Sequence, residues 1–446
     1  MAEPDLIAAV ATAPGLGAIG VVRISGSSLR ELLVPLLGRE PAPRRGVLMD
    51  FLDSQGQAID QGLVIYFPAP HSYTGEHVLE LQGHGGPAVL QRLLKRCVEL
   101  GARLAEPGEF TQRAFLNGKL DLAQAESVAD LIEARSEAAA RSALRSLKGA
   151  FSQEIHSLVA DVTTLRMLVE ACIDFPEEGI EQLEAASARP RLKALLDRVQ
   201  AVESAARQGS LLREGARVAL IGRPNVGKSS LLNRLAGEDV AIVTHIPGTT
   251  RDVIRQELVL DGVPIYILDT AGLREARDPI ERLGIDRTRE VIRSADLALV
   301  VVDVREGLTV DDETVLGELP SGLEKIIVLN KIDLSGGSAG ASESPRGCEV
   351  RVSALSGEGV DMLRSEILRA VGWRTGEEGV FLARARHLEA LRAAALHFVR
   401  AGERYGEFEL FAEELRLAQE ALGEITGEVT ADDLLGQIFA RFCIGK

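Results

Sequence analysis

Val218-Ala219-Leu220-Ile221-Gly222-Arg223-Pro224-Asn225-Val226-Gly227-Lys228-Ser229-Ser230 is the stretch whose reading decides the fold of the middle of this chain. An apolar run entering G-x-x-x-x-G-K-S reads as a buried strand that turns through a phosphate-binding loop into a helix opening near Ser230. Amides of the loop, Val226 and Gly227 among them, wrap β- and γ-phosphates, Lys228 neutralises their charge, and the Ser229 hydroxyl reaches Mg2+.

Downstream residues follow in the order a nucleotide switch requires. Thr244-His245-Ile246-Pro247-Gly248-Thr249-Thr250 offers a threonine, Thr249 or Thr250, that closes on the metal when a γ-phosphate is present. Asp269-Thr270-Ala271-Gly272 ends an apolar strand, with a carboxylate for the Mg2+ water shell and a glycine amide for the γ-phosphate. Asn330-Lys331-Ile332-Asp333 ends another. A carboxylate there accepts from the ring NH and amino group of guanine but faces an acceptor on adenine, so the base read is guanine. Ser353-Ala354-Leu355 then supplies a backbone NH for the guanine oxygen. Together these motifs imply GTP binding.

Outward from this block, repeated strand, glycine turn and helix run from about Arg217 to Gly372, the pattern of a parallel sheet covered on both faces. Before it, from about Leu120 to Leu212, Ile155, Leu158, Val162, Leu165 and Val169 recur at helical spacing, with Pro176 and Pro190 as helix boundaries. After it, Leu388 to Val399 and Phe411 to Leu422 are helical again. Two helical stretches flanking an α/β block read as one helical domain with an insertion. Residues 335–345, rich in Gly and Ser, read as an exposed loop. The first 120 residues mix β-type runs (20–24, 62–67, 77–81) with one helical pattern (88–100) and read as a small α/β domain with little room for a large core. The expected fold class is multidomain α/β plus all-α. Its domains are residues 1–119, 120–212, 213–373 (the inserted G domain) and 374–446.

The 446 residues carry 50 Lys+Arg against 66 Asp+Glu, a net charge of -16, with 46% hydrophobic residues. That apolar fraction excludes intrinsic disorder as the main state. The acidic balance argues against a chain that coats nucleic acid unaided. Four dispersed cysteines suggest neither a disulfide framework nor a zinc site. No run reaches the roughly 18–20 apolar residues of a membrane span, and the N-terminus lacks the pattern of a secretory signal, so the expected location is cytoplasmic.

The block resembles G domains of the Era and Der type, with Leu273 where Ras-like proteins place a water-orienting Gln. An apolar side chain cannot orient water. Asn225 is a candidate ligand for a monovalent cation beside the phosphates, with carbonyls near Thr244 and Ile246 completing the shell, and Glu281 is a candidate to position water through an intermediate. The flanks discriminate further. Phe442-Cys443-Ile444-Gly445-Lys446, the run Pro107 to Lys119 and Gly83-His84-Gly85-Gly86 resemble the MnmE (TrmE) family of tRNA-modification GTPases, over essentially the whole chain.

That resemblance implies a potassium-stimulated GTPase, a homodimer, that acts with an FAD protein of the MnmG type on carbon 5 of the wobble uridine of certain tRNAs. The one-carbon unit would come from 5-formyl- or 5,10-methylene-tetrahydrofolate in the N-terminal domain, with Arg23, Glu80 and Lys119 at the folate and Lys446 nearby. Cys443 reads either as a reactive thiol or as a buried structural cysteine. His245 stands where relatives often carry Asp, and Gln82 where they often carry His. The main alternative is an Era/Der-type ribosome-assembly or general switch GTPase, which shares every G-domain motif. A second is a folate-dependent aminomethyl transferase with an added switch.

Overall fold

The computed structural model describes residues 5–174, 187–237, 254–269, 292–374, 380–428, 432–440, 442, 444 and 445. The chain divides into two compact units, Met1–Ile132 with Leu144–Val199 and Ala390–Lys446, and Glu133–Ala143 with Gln200–Glu389.

The first unit begins with β1 (Leu6–Val10), β2 (Gly17–Gly26), α1 (Arg30–Leu37), β3 (Val47–Leu52), β4 (Ala58–Phe67), β5 (His77–Gly85), α2 (Pro87–Glu99), β6 (Ala102–Leu104) and α3 (Glu109–Leu116). Six strands form one sheet in the order β3-β4-β5-β2-β1-β6, antiparallel except for the β1–β6 pair. Strand alternation sends Val22, Ile24, Leu79 and Leu81 to one face, where Leu32 and Leu36 of α1 and Leu90 and Leu93 of α2 cover them. This core is larger than the sequence suggested, because α1 and the strands β1, β3 and β6, unread in the sequence, all contribute to it. The same alternation turns Arg23 and Glu80, directly paired across β2 and β5, to the other face.

Helices follow: α4 (Leu122–Glu133), α5 (Glu137–Leu147), α6 (Ala150–Asp174) and α7 (Ala188–Glu214). Ile155, Leu158, Val162, Leu165 and Val169 of α6 are all fully buried, as their spacing requires. Pro190 sits in the first turn of α7, where its missing NH costs no helical bond; Pro176 lies outside the described residues.

The second unit carries β7 (Ala216–Ile221), α8 (Lys228–Ala236), β8 (Ile254–Leu260), β9 (Val263–Asp269), β10 (Leu297–Asp303), α9 (Val310–Glu318), β11 (Glu324–Asn330), β12 (Gly340–Ser344), β13 (Gly347–Val352) and α10 (Val360–Ala370). The sheet order is β12-β13-β11-β10-β7-β9-β8, with the five inner strands parallel and the two outer strands antiparallel to their neighbours. Every residue of β10 is buried, which is why its sequence Leu-Ala-Leu-Val-Val-Val-Asp is an unbroken apolar run up to Asp303. Half of the expected 335–345 loop proves to be a strand. Residues 340–344 pair with β13 at the sheet edge, where their polar side chains suit an exposed margin.

Three helices close the chain: α11 (Ala385–Glu403), α12 (Phe408–Thr426) and α13 (Asp432–Phe439). Phe411, Leu415 and Leu422 of α12 are fully buried, and α12 packs along α6, with Arg166 donating to Gln419 at 2.8 Å. Segments from both sides of the α/β block thus share one unit, so the block is an insertion into a helical domain. The fold is multidomain α/β plus all-α, as expected.

Candidate active site

Parallel strands carry ligands at their C-terminal ends, and the motif residues converge there on β7, β10, β11 and β13. β7 delivers the chain into the loop 222–227, and α8 starts at Lys228 with Gly227 as its N-cap. Gly227 has φ +98°, and a Cβ there would meet Asn330 Nδ2 at 2.3 Å, so only glycine lets the loop close over β11. Lys228 Nζ donates to the carbonyls of Gly222 at 2.6 Å and Arg223 at 2.9 Å, folding over the loop it would share with a phosphate. Asn225 (φ +65°) and Ser229 are both exposed at the loop surface, with Lys228 half-buried between them.

Asn330 is the joint of the site. It is 1% exposed, donates from Nδ2 to the Val226 carbonyl at 2.9 Å, and accepts the Ala354 amide on Oδ1 at 2.9 Å. One amide group thereby holds the phosphate loop and the 353–355 turn to the end of β11. Lys331 does the same on the next side: Nζ donates to the Asn225 carbonyl at 2.6 Å and to Asp303 Oδ2 at 2.9 Å. Asp333 is exposed, and its carboxylate is oriented by the buried Ser353 hydroxyl at 2.6 Å, which also accepts the Ser356 amide. Ile332 is buried beneath it. Of the three turn residues, Ser353 donates its amide to Glu358 and Ala354 to Asn330, whereas the Leu355 amide meets no described residue.

Asp303 was not singled out in the sequence, although the polar residue closing a fully apolar strand was the signal. Hydrogen bonds from Arg305 and then Lys331, against the opposing effect of burial, hold its carboxyl well below the usual carboxylate range. It therefore stays charged and keeps Lys331 aimed at the loop.

The N-terminal candidates meet on the face of the first sheet opposite α1 and α2, beside a small cluster of Ile7, Ala9, Ala105 and Phe110. Arg23 pairs with Glu80 (Nε to Oε1 3.0 Å; Nη2 to Oε1 2.9 Å), lies 5.8 Å from the ring centres of both Tyr73 and Phe110, and donates from Nη1 to the Gly445 carbonyl at 3.3 Å. A bridge between Pro107 and Ile444 seats the chain's end there. Lys119 Nζ donates to the Pro70 carbonyl at 3.2 Å, on the loop that carries Tyr73. Sequence reasoning missed Tyr73 and Phe110, because nothing in their spacing links them to Arg23. A carboxylate, two cations and the partly exposed ring of Tyr73 are thus gathered in one region, with the Phe110 ring fully buried beneath Arg23.

Of the other candidates, Asp269 ends β9 at the level of Leu220 of β7. Thr244, His245, Ile246, Pro247, Gly248, Thr249, Thr250, Thr270, Ala271, Gly272, Glu281, Cys443 and Lys446 lie outside the described residues.

Comparison with known proteins decides between the G-protein types. A family model described as the MnmE helical domain matches residues 122–443, and one described as the GTP-binding protein TrmE N-terminus matches residues 6–119. The chain belongs to the MnmE family. The tRNA modification GTPase MnmE of Laribacter hongkongensis (strain HLHK9) is 60% identical over 445 residues, 99% of each chain. That of Chromobacterium violaceum is 58% identical over 444 residues, again 99% of each. A solved structure of an Aquifex aeolicus Era variant bound to GDP and aluminium fluoride aligns with 41% of this chain and 66% of its own, at 27% identity and a TM-score of 0.28. The helical match brackets the inserted block, as an MnmE-type insertion requires. As a member of the MnmE family the chain is a tRNA-modification GTPase, an enzyme that binds and hydrolyses GTP.

Exchanging the Asp333 carboxylate tests whether it reads the base. Asp333→Asn is expected to weaken GTP binding about 100-fold, the loss of a charge-assisted pair of hydrogen bonds. Binding of inosine triphosphate, which has no 2-amino group, should change far less. Equal losses for the two nucleotides in a competition titration would show that Asp333 does not face the amino group.

Proposed function

We propose that this chain hydrolyses GTP in a potassium-stimulated cycle and, with an MnmG-type flavoprotein, installs an aminomethyl or carboxymethylaminomethyl group at carbon 5 of the wobble uridine of certain tRNAs. The observation that carries the reading is the frame in which Asn330 and Lys331 tie the phosphate loop to the base-reading residues. Lys228, Ser229 and Ser230, with the amides of Val226 and Gly227, would hold the phosphates and Mg2+. Thr249, Thr250 and Asp269 would complete the metal shell, and Thr270, Ala271 and Gly272 would face the γ-phosphate. The side-chain oxygen of Asn225 and the carbonyls of Thr244 and Ile246, in the segment that continues through His245, Pro247 and Gly248, are the proposed donors to K+. A cation there supplies the positive charge that an arginine finger provides elsewhere. Glu281 is the proposed water-positioning group, in place of the Gln that Leu273 replaces.

Arg23, Glu80 and Lys119, with Lys446, are the proposed holders of tetrahydrofolate. Tyr73 and Phe110 support that reading, since Arg23 lies beside both rings. The proposed division is a folate-binding and dimerising domain (1–119), a helical domain in two parts (120–212 and 374–446) and the G domain (213–373). The homodimer, the MnmG-type partner, transient tRNA contact and a cytoplasmic location complete the proposal; among the described residues no helix is long and apolar enough to cross a membrane.

GTP turnover in matched potassium and sodium buffers, with light scattering in the presence of GDP and aluminium fluoride, tests it. Stimulation by potassium of at least about tenfold, with association, is the expected result. Equal rates and no association would leave a GTPase but favour the Era/Der-type switch.

A further inference from the structure

The strands β8 and β9 form the hairpin that joins the two switch segments: β8 begins just after Thr249 and Thr250, and β9 ends on Asp269. Its turn is two residues long, Asp261 (φ +48°) and Gly262 (φ +87°), the left-handed pair that suits a tight hairpin. Residues between α4 and α5 grip this hairpin. Arg135 Nη1 donates to Glu257 Oε2 at 2.8 Å and to the Tyr266 hydroxyl at 3.4 Å, with its guanidinium 6.0 Å from the Tyr266 ring centre. Glu257 and Tyr266 are direct cross-strand partners, so one side chain spans both strands and holds their register. Ser136 Oγ donates to the Gly262 carbonyl at 2.6 Å, and a Cβ on Gly262 would come 2.7 Å from that of Ala138, so the turn is pressed against the start of α5.

We infer that Arg135, supported by Ser136, is a positioning residue for GTP hydrolysis: it sets the register and placement of the hairpin from which both switch segments depart. The inference rests on the proposed roles of Asp269 and the switch threonines. Tyr266 stands three residues before Asp269, and Glu257 three residues after Ile254, so the grip lies about 10 Å from each point of departure. β9 is paired to β7 without a break from Tyr266 to Asp269 and moves as a unit over that length, whereas β8 shifts register between Ile254 and Gln256, so the grip acts chiefly through β9 on Asp269. β7, which feeds the phosphate loop, lies on the other side of β9, so a shift or tilt of β9 at Tyr266 reaches Asp269 at the level of Leu220 and leaves the guanine end of the site untouched. The sequence carries no motif at Arg135, and only the meeting of the α4–α5 segment with the hairpin reveals it.

The test uses the full-length protein with Arg135→Ala, Arg135→Lys, Glu257→Gln and the Arg135→Ala/Glu257→Gln pair. Affinity for a fluorescent GDP analogue, single-turnover GTP hydrolysis and the thermal midpoint are measured for each. Arg135→Ala is expected to slow single-turnover hydrolysis about tenfold while GDP affinity stays within about twofold. Arg135→Lys should recover most of the rate, and the double variant should be no slower than Arg135→Ala alone. A rate within about twofold of the parent overturns the inference. So does a rate that falls together with GDP affinity and thermal midpoint, or an Arg135→Lys as slow as Arg135→Ala. Failure of the unmodified chain to bind GDP would instead overturn the site reading, and the binding measurement alone reveals it.

Discussion

Asn330→Ala is expected to weaken guanine-nucleotide binding by about 100-fold or more, although the substitution removes only a short, neutral side chain. Asn330 is 1% exposed and both ends of its amide are used, one on the Val226 carbonyl and one on the Ala354 amide, each at 2.9 Å. Alanine would leave a buried acceptor and a buried donor without a partner. Each orphaned group costs about 1–3 kcal/mol, and opening the site to satisfy them with water separates the phosphate loop from the 353–355 turn. Nucleotide binding must then restore a frame that the unmodified chain already holds. Titration of a fluorescent GDP analogue measures the loss. A change below about threefold would mean that the loop and the turn are held by other contacts.

The second large effect is on stability. Arg113→Met is expected to lower the unfolding free energy of the first unit by about 3 kcal/mol, the cost of taking a nearly buried cation from Glu76 and from the buried Glu109, which keeps only the half-exposed Arg103. Arg113 has a side chain 10% exposed and pairs with Asp5 at 2.8 Å, Glu76 at 3.0 Å and Glu109 at 3.0 Å; Glu109 itself is only 7% exposed. Arg103 shares Asp5 and Glu109 but is 46% exposed, so Arg103→Met should cost only about 1 kcal/mol. Burial pushes the Glu109 carboxyl up, but hydrogen bonds from Arg103, the Glu106 amide and Arg113 outweigh it and hold the group below its ordinary value. Asp5 is likewise lowered, chiefly by Arg103.

Both carboxyls are therefore easier to ionise folded than unfolded. The stability they contribute is full above the ordinary carboxylate range and is lost as pH falls through their depressed folded values. Urea unfolding followed by circular dichroism at neutral and acid pH checks both statements. The gap between Arg113→Met and the parent should narrow as the medium becomes acid. A gap that widens on acidification, or an Arg113→Met chain as stable as the parent at neutral pH, would remove this cluster from the stability account.

The inserted G block was legible because each of its motifs is contiguous. A strand, a glycine-rich loop and a helix start are local events, and Gly222 to Ser229 contain the residues that the loop needs. The period of Ile155 to Val169 was legible for the same reason, since a helix face repeats within one short window. The edge strand 340–344 was not, because its glycine and serine composition matches a turn and its pairing comes from the backbone of β13. Asp303 escaped notice because a single polar residue at a strand end carries no motif, and its role appears only with Lys331 beside it.

Sequence by itself determined the chemistry available at the G site, the order of its motifs, and the insertion of that block between helical stretches. Those properties reside in neighbouring residues, whose backbone preferences and donor groups act over a few positions. Tertiary structure alone decided which distant groups meet: Arg23 with Glu80 across 57 residues, Arg23 with Gly445 across 422, and Asn330 with the phosphate loop across 104. Strand register, burial and the return of the chain's end select those partners. Such selection depends on the free energy of packing the whole unit, so no short window of sequence contains it.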